Sequence, residues 1–333
     1  IPGPSRAVTW LVIAPPFSRR EGNPHDFAPL SRATVANLDT AVKHLRAFLH
    51  DSEAKTACLE DVTTQLARDF RYDYLPNLRG PRSPNGLSAG TVNKNITLLS
   101  QMWRWAIECG HIKPSKAANP WDMPAATIRR SRPAGAKARR DYQPEEFSRL
   151  LQATSRGSRE GDLLRLAIAT GCRADELAMI PADDVESDAS GFRIGSGKTA
   201  SAVRFVPVVA DARELLSARM TAHGGSGRVF PDWPIRPASD KAAAVSQWFT
   251  RFRRQVLGPE TDGHLALHST RHTWKTVARR AGVDAATVND LGGWTGPRTS
   301  SSVYDHGLLR EQLEEMQLRV WNELSRSGYL EGF

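Results

Sequence analysis

Apolar residues recur at helical spacing over most of this chain. Between Thr34 and His50, Val35, Leu38, Val42, Leu45, Phe48 and Leu49 return every few residues, which predicts an amphipathic helix. A second helix is expected around Asp61–Tyr74. Residues 76–87 (PNLRGPRSPNGL) read as a loop, because Pro and Gly interrupt both regular periods. Ser88 suits the cap of a third helix, with Val92, Ile96, Leu99, Trp103 and Ile107 on one face and Gly110 at its end. Residues 120–140 are rich in Pro, Ala, Gly and Arg and read as a linker. Beyond it, Pro144 with Glu145 and Glu146 has the chemistry of a first helical turn. The run 161–170 (GDLLRLAIAT) is an apolar helix that Gly171 stops, and 191–209 reads as two strands around a Gly/Ser-rich turn. Helical pattern resumes near Lys241 and continues to the end. The expected fold class is therefore mainly α with a small β-hairpin or sheet in the second domain (α+β). Its predicted divisions are an irregular segment over 1–29, a helical domain over 30–125, a basic linker over 126–140, a second domain over 141–306 and a C-terminal helix within 307–333.

Composition narrows the class. With 333 residues, 40% of them apolar, the chain can build a core in each of two domains. Three Cys at wide spacing (Cys58, Cys109, Cys172) argue against a disulfide scaffold and against a Cys-rich zinc site. No apolar run reaches the roughly 18 residues of a membrane span, and Thr9–Phe17 is too short and Pro-broken for a signal peptide. A reduced cytoplasmic setting is the expectation. Charge is uneven. Residues 1–140 carry 21 Lys and Arg against 11 Asp and Glu, whereas 141–333 carry 24 against 25. The excess peaks in 111–140, where Lys113, Lys116, Arg129, Arg130, Arg132, Lys137, Arg139 and Arg140 face only Asp122. Such a stretch suits a polyanion, or is a solvated linker; no amphipathic basic helix accompanies it to favour a membrane surface.

Several short motifs lie in the second domain. Gly195–Thr199 (GSGKT) is not a nucleotide-binding loop, because the required Gly five residues before Gly197 is Phe192 and the flanks are strands. It leaves Lys198 at a hairpin tip, either reaching for a partner or simply solvated. His268 and Arg271 share a face at a predicted helix start, where free N–H groups favour an anion; His268 and His272 lack the Glu of a zinc motif. Arg173 lies in a turn between helices, three residues before Glu176, which can hold its guanidinium as a phosphate fork or as a plain salt bridge. Leu291-Gly-Gly-Trp294 and Tyr304-Asp-His306 follow.

The ordered set Arg-x-x-Glu, hairpin Lys, His-x-x-Arg-His, Leu-Gly-Gly-Trp and Tyr-x-His resembles the tyrosine recombinases, the family of phage integrases and chromosome-dimer resolvases, over about 28–320. LSAGTVNKNITLLSQMWRWAIECGHI followed by NPW is similar to that family's helical core-binding domain. The resemblance implies a two-domain DNA clamp and assigns the catalytic positions to Arg173, Glu176, Lys198, His268, Arg271, Trp294 and Tyr304. Trp294 stands where most members carry His, and its ten-residue interval to Tyr304 is slightly longer than the commonest spacing. Tyr304 is the nucleophile by order and context; Tyr72, Tyr74, Tyr142 and Tyr329 are less well placed.

By this resemblance Tyr304 attacks a DNA phosphate to give a 3′-phosphotyrosyl link and a free 5′-hydroxyl, with no metal and no nucleotide cofactor. Arg173 and Arg271 clamp the non-bridging oxygens, Lys198 protonates the leaving oxygen, His268 assists proton transfer, Trp294 packs and donates one hydrogen bond, and Glu176 orients Arg173. Double-stranded DNA is the expected partner. Thr91, Asn93, Lys94 and Asn95 on the third helix, and Arg129, Arg130, Arg132, Arg139 and Arg140 in the linker, are its expected contacts. The family pattern adds a homo-tetramer on two DNA sites that passes through a Holliday junction, an accessory directionality protein, and a location at the bacterial nucleoid or in a phage-infected cell. Leu309, Leu313, Met316, Val320 and Leu324 form a stripe on the last helix, expected to dock on a neighbouring protomer. Two other readings keep the fold, a silent DNA-binding accessory protein and a type IB topoisomerase-like strand-passing enzyme. A metal-dependent nuclease is disfavoured, since no carboxylate/His cluster appears at ligand spacing.

Overall fold

The structure is a computed structural model that describes residues 17–18, 30–51, 62–81, 83–112, 118–123, 138–195, 203–236, 241–242, 244–295 and 308–333. The chain divides into two compact units, Ile1–Ala136 and Lys137–Phe333. Among the described residues, no helix is long and apolar enough to cross a membrane.

The first unit is helical. α1 (Arg32–Asp51) packs on α3 (Ala89–Glu108). Leu38, Val42 and Leu45 meet Val92, Leu99 and Met102 in a core closed by Trp105 and Trp121. Ser88 caps α3, accepting from the Thr91 amide at 3.2 Å, and Gly110 adopts φ +72° just past its end. The segment expected at Asp61–Tyr74 begins later, at α2 (Thr64–Asp69), because Thr63 supplies the cap. It continues through a π turn, Phe70–Tyr74, and a last turn, Leu75–Asn77. Within that wide turn Phe70 and Tyr74 stack at 5.8 Å, and both rings contact Phe48 of α1.

The second unit wraps its helices around one core. Its elements run α4 (Pro144–Gln152), α5 (Arg159–Thr170), the five-residue α6 (Ala174–Ala178), β1 (Gly191–Ile194), β2 (Arg204–Pro207) and α7 (Ala210–His223). Next come β3 (Ile235–Arg236), β4 (Lys241–Ala242), α8 (Ala244–Leu257), α9 (Leu267–Arg280), α10 (Ala285–Gly292) and α11 (Arg310–Arg326). β1 and β2 pair antiparallel, Gly191 opposite Pro207 and Ile194 opposite Arg204, so the expected hairpin is present. One expectation is corrected: helix does not resume at Lys241, because Lys241 and Ala242 pair with Ile235 and Arg236, and α8 starts at Ala244. Pro234 and Pro237 push the residues before them toward extended backbone, a bias too short to show as alternation.

The C-terminal helix also corrects an expectation. Val320, Trp321 and Leu324 are buried in the second unit's own core, and Leu313 and Met316 pack against it. The Gln317 amide donates to Ala169 O, Arg165 donates to Gly332 O at 2.7 Å, and Tyr329 Oη donates to Tyr142 O at 3.0 Å. Four members of the stripe therefore pack on their own domain, and Leu309 is largely exposed. An apolar period marks a face for burial but does not name the surface that buries it.

Candidate active site

The site begins at the end of α5. Gly171 takes φ +67° as the helix stops, and a Cβ there would lie 2.4 Å from the Trp274 ring of α9. Only glycine allows both the left-handed turn and that approach. The turn carries Arg173 to the start of α6, where the Arg173 amide donates to Glu176 Oε2 (2.9 Å) and its Nη1 donates to Oε1 (2.5 Å). Arg173 Nη2 reaches Gly293 O at 3.2 Å.

Arg271 projects from the first turns of α9 into the interior, and is 1% exposed. Its Nη1 donates to Gly171 O at 2.8 Å, while Nε and Nη2 are buried with no protein partner. Burial first, then the Arg173 charge, lowers its pKa to about 10. The Trp294 ring lies 3.7 Å from that guanidinium and stacks on Trp274 at 6.3 Å. The two glycines before Trp294 make this possible. Gly293 ends α10 at φ +65°, and a Cβ on Gly292 would sit 1.8 Å from the indole. Lys275, one turn after Arg271, holds its ammonium 4.3 Å from the same ring.

His268 stands on the rim, in a cleft of about 440 Å³ that Arg139, Ser246, Thr250 and His272 also line. Its ring meets His272 edge-on at 4.8 Å. Partial burial, then His272, Arg271, Arg173 and Arg139, hold its pKa below the ordinary imidazole value. Arg173, Glu176, His268, Arg271 and Trp294 thus belong to one neighbourhood, whereas Lys198, Tyr304 and His306 lie outside the described residues. Tyr142 and Tyr329 are buried, with hydroxyls donated to Ala266 O (3.1 Å) and Tyr142 O.

Sequence reasoning missed Arg204. Buried on β2, it donates to Glu176 Oε2 at 2.9 Å and to Leu291 O at 2.9 Å. Burial raises the Glu176 pKa, but the Arg204 hydrogen bond and charge, helped by Arg173, outweigh it and leave the carboxyl below its usual range. The available signal was an Arg in an otherwise apolar strand, RFVPVV, with an acid needing a second partner.

The expected DNA contacts divide. Thr91, Asn93 and Lys94 are exposed on α3. Asn93 accepts from Arg71 at 3.3 Å and rims a groove of about 420 Å³ with Thr97, Gln101 and Arg104, which sequence reasoning had not singled out. Asn95 is a correction. It is buried, pairs with His44 Nδ1 at 3.0 Å and donates to Thr91 O at 2.8 Å, so it joins α3 to α1 instead of facing out. Arg140 is committed to Glu146 through two bonds of 2.6 and 2.5 Å. Arg139 is exposed beside His268, and Arg129, Arg130 and Arg132 lie outside the described residues.

Comparison with known proteins decides the lineage. The Phage integrase family matches residues 141–309, and the Phage integrase SAM-like domain matches 21–120. The chain belongs to the phage integrase family. It is a tyrosine recombinase, an enzyme of site-specific DNA recombination. A tyrosine recombinase XerC of Corynebacterium efficiens is 26% identical over 296 residues, 87% of this chain and 88% of that one. A XerC of Xylella fastidiosa strain M23 is 27% identical over 66% of this chain and 71% of its own. In fold the recombinase is similar to a lambda integrase tetramer bound to a Holliday junction (TM-score 0.59, 19% identity, 87% of this chain, 78% of that one). It is also similar to the Tn1549 transposon integrase in complex with circular intermediate DNA (TM-score 0.57, 16% identity, 93% and 99%).

Proposed function

We propose that this recombinase binds double-stranded DNA and exchanges strands through a 3′-phosphotyrosyl intermediate on Tyr304. Arg271 carries the reading. A buried guanidinium with two nitrogens, Nε and Nη2, lacking protein partners is a donor set for an anion, and Arg173 beside it adds a second fork. A phosphodiester supplies the missing oxygens.

In the proposed step the Tyr304 oxygen bonds to phosphorus and the bond from phosphorus to the 5′-oxygen breaks. Arg173 and Arg271 stabilise the charge on the pentacoordinate phosphorus, and Lys198 gives the departing oxygen its proton. At a phenol pKa near 10, only about one Tyr in a thousand is ionised at pH 7, so Tyr304 needs this positive field and a base. His268 is suited to the base role, because partial burial and then its neighbours, Arg271, Arg173 and Arg139 among them, hold its pKa below the ordinary imidazole value. Trp294 packs its indole on Arg271 and fixes the guanidinium plane. Reversal by a 5′-hydroxyl of another strand rejoins the DNA. Bond energy is kept in the phosphotyrosyl link, so the cycle consumes no nucleotide.

Exchange between two duplexes proceeds in this reading through a Holliday junction held by a tetramer, and takes place in the cytoplasm, where the DNA lies. The basic stretch 111–140 and the exposed face of α3 supply phosphate and groove contacts. On nicked suicide duplexes in chelator, wild type forms an SDS-resistant complex, and Tyr304→Phe binds DNA equally but forms none. An undiminished complex with Tyr304→Phe would reassign the nucleophile.

A further inference from the structure

We propose that Arg204 is a positioning residue of the strand-transfer site, dividing the Glu176 carboxylate with Arg173 so that Arg173 stays open to phosphate. The inference rests on the recombinase reading above and extends it to a residue outside the expected catalytic set.

Geometry carries it. Arg204 opens β2, six residues after Lys198, and is only 6% exposed as a side chain. Its Nη2 takes Glu176 Oε2 at 2.9 Å and lies 3.4 Å from Cys172 Sγ, while Nε takes Leu291 O at 2.9 Å. Arg173 takes the other oxygen, Oε1, and Gly293 O. The two arginines therefore close a ring: Glu176 at one end, and the Leu291–Gly293 turn at the other. That turn leads directly to Trp294, whose indole faces Arg271.

An isolated Arg–Glu pair favours a bidentate fork that cancels the charge and uses two parallel donors. Here Arg204 shares Oε2 with the Arg173 amide, and the Arg173 side chain meets the carboxylate through Nη1 alone. With Gly293 O, the described bonds use two of its five N–H groups. One carboxylate between two guanidiniums also leaves the cluster net positive. Arg204 thereby fixes the Glu176 rotamer, the open edge of Arg173 and the approach of Trp294 in one arrangement.

The test measures single-turnover covalent complex formation, DNA affinity and thermal melting for wild type, Arg204→Lys, Arg204→Met, and Arg204→Met combined with Glu176→Gln. Arg204→Met is expected to slow the step about 10²-fold, a size typical of losing one preorganised charge contact, with Kd for DNA within about threefold. Arg204→Lys keeps the charge but cannot hold Glu176 and Leu291 O together, so it restores only part of the rate. The pH profile separates positioning from folding. Glu176 is faced by Arg173 and Cys172 from its own turn, Arg204 from β2 and Arg271 from α9. Without Arg204, burial raises its pKa, so in Arg204→Met the rate falls at a higher pH on the acid side than in wild type. Adding Glu176→Gln removes that extra limb. A wild-type rate in Arg204→Met overturns the proposal, as does a pH-independent loss that follows the unfolded fraction. Absence of covalent complex in wild type overturns the recombinase reading itself.

Discussion

His268 and Arg271 are three residues apart on α9, yet they meet different surroundings. Arg271 turns inward beneath the Gly171 carbonyl, and His268 stays on the cleft rim among Arg139, Arg173, Arg271 and His272. Partial burial and those neighbours all oppose its protonation. The expected outcome is a single-turnover cleavage rate that holds as pH falls through about 6.5, the ordinary imidazole value, and declines only below it. An acid limb at or above that value, and lost in His268→Gln, would contradict the assignment. The stability sign follows. The unfolded chain takes up this proton at a higher pH than the folded chain, so the His268 contribution lowers stability as pH falls through about 6.5 and is absent above it.

Short elements hold these residues in place, and their glycines are the sensitive points. Gly171→Ala meets both a left-handed φ and the Trp274 ring. A loss of about 1–3 kcal/mol or more in urea denaturation is expected, with a slower covalent step because the Arg173 turn shifts. Unchanged stability would show that the turn accommodates a Cβ. At this scale the sequence was partly legible. Gly171 as a helix stop, Ser88 as a cap and the β1–β2 hairpin each follow from local rules that tertiary context did not override. The β3–β4 pair was not legible, since a two-residue strand has no period. Asn95 was misread because a polar residue at a helix start looks the same whether it faces water or a buried His44. The α11 stripe was visible, but its partner was not. Arg204 was hidden because its meaning lies in Glu176, 28 residues away.

Over the whole molecule, charge is uneven along the chain. The basic excess lies in residues 1–140, and the remainder is close to neutral. DNA affinity should therefore depend steeply on salt. With about six phosphates neutralised, binding should weaken roughly 10³-fold between 50 and 200 mM salt. Replacing Arg129, Arg130 and Arg132 together by Ala should lessen the log–log slope by about 2–3, measured by fluorescence anisotropy on full-length protein. A flat response, or a slope unchanged by that triple substitution, would remove the basic stretch from the DNA interface. The order of the candidate motifs was readable in the sequence at this scale; among the described residues, the meeting of Arg173, Glu176, His268, Arg271 and Trp294 depends on α9, which brings Arg271 to Gly171 across 100 residues of chain.

The most direct test of the central claim is to identify the residue that carries the DNA. Wild-type protein trapped on a nicked suicide duplex in chelator is digested, and the DNA-linked peptide is sequenced by mass spectrometry. The account predicts one linked peptide, containing Tyr304 and bearing the 3′-phosphate through its phenolic oxygen. A link to another residue, or cleaved DNA with a free 3′ end and no linked peptide, would contradict it.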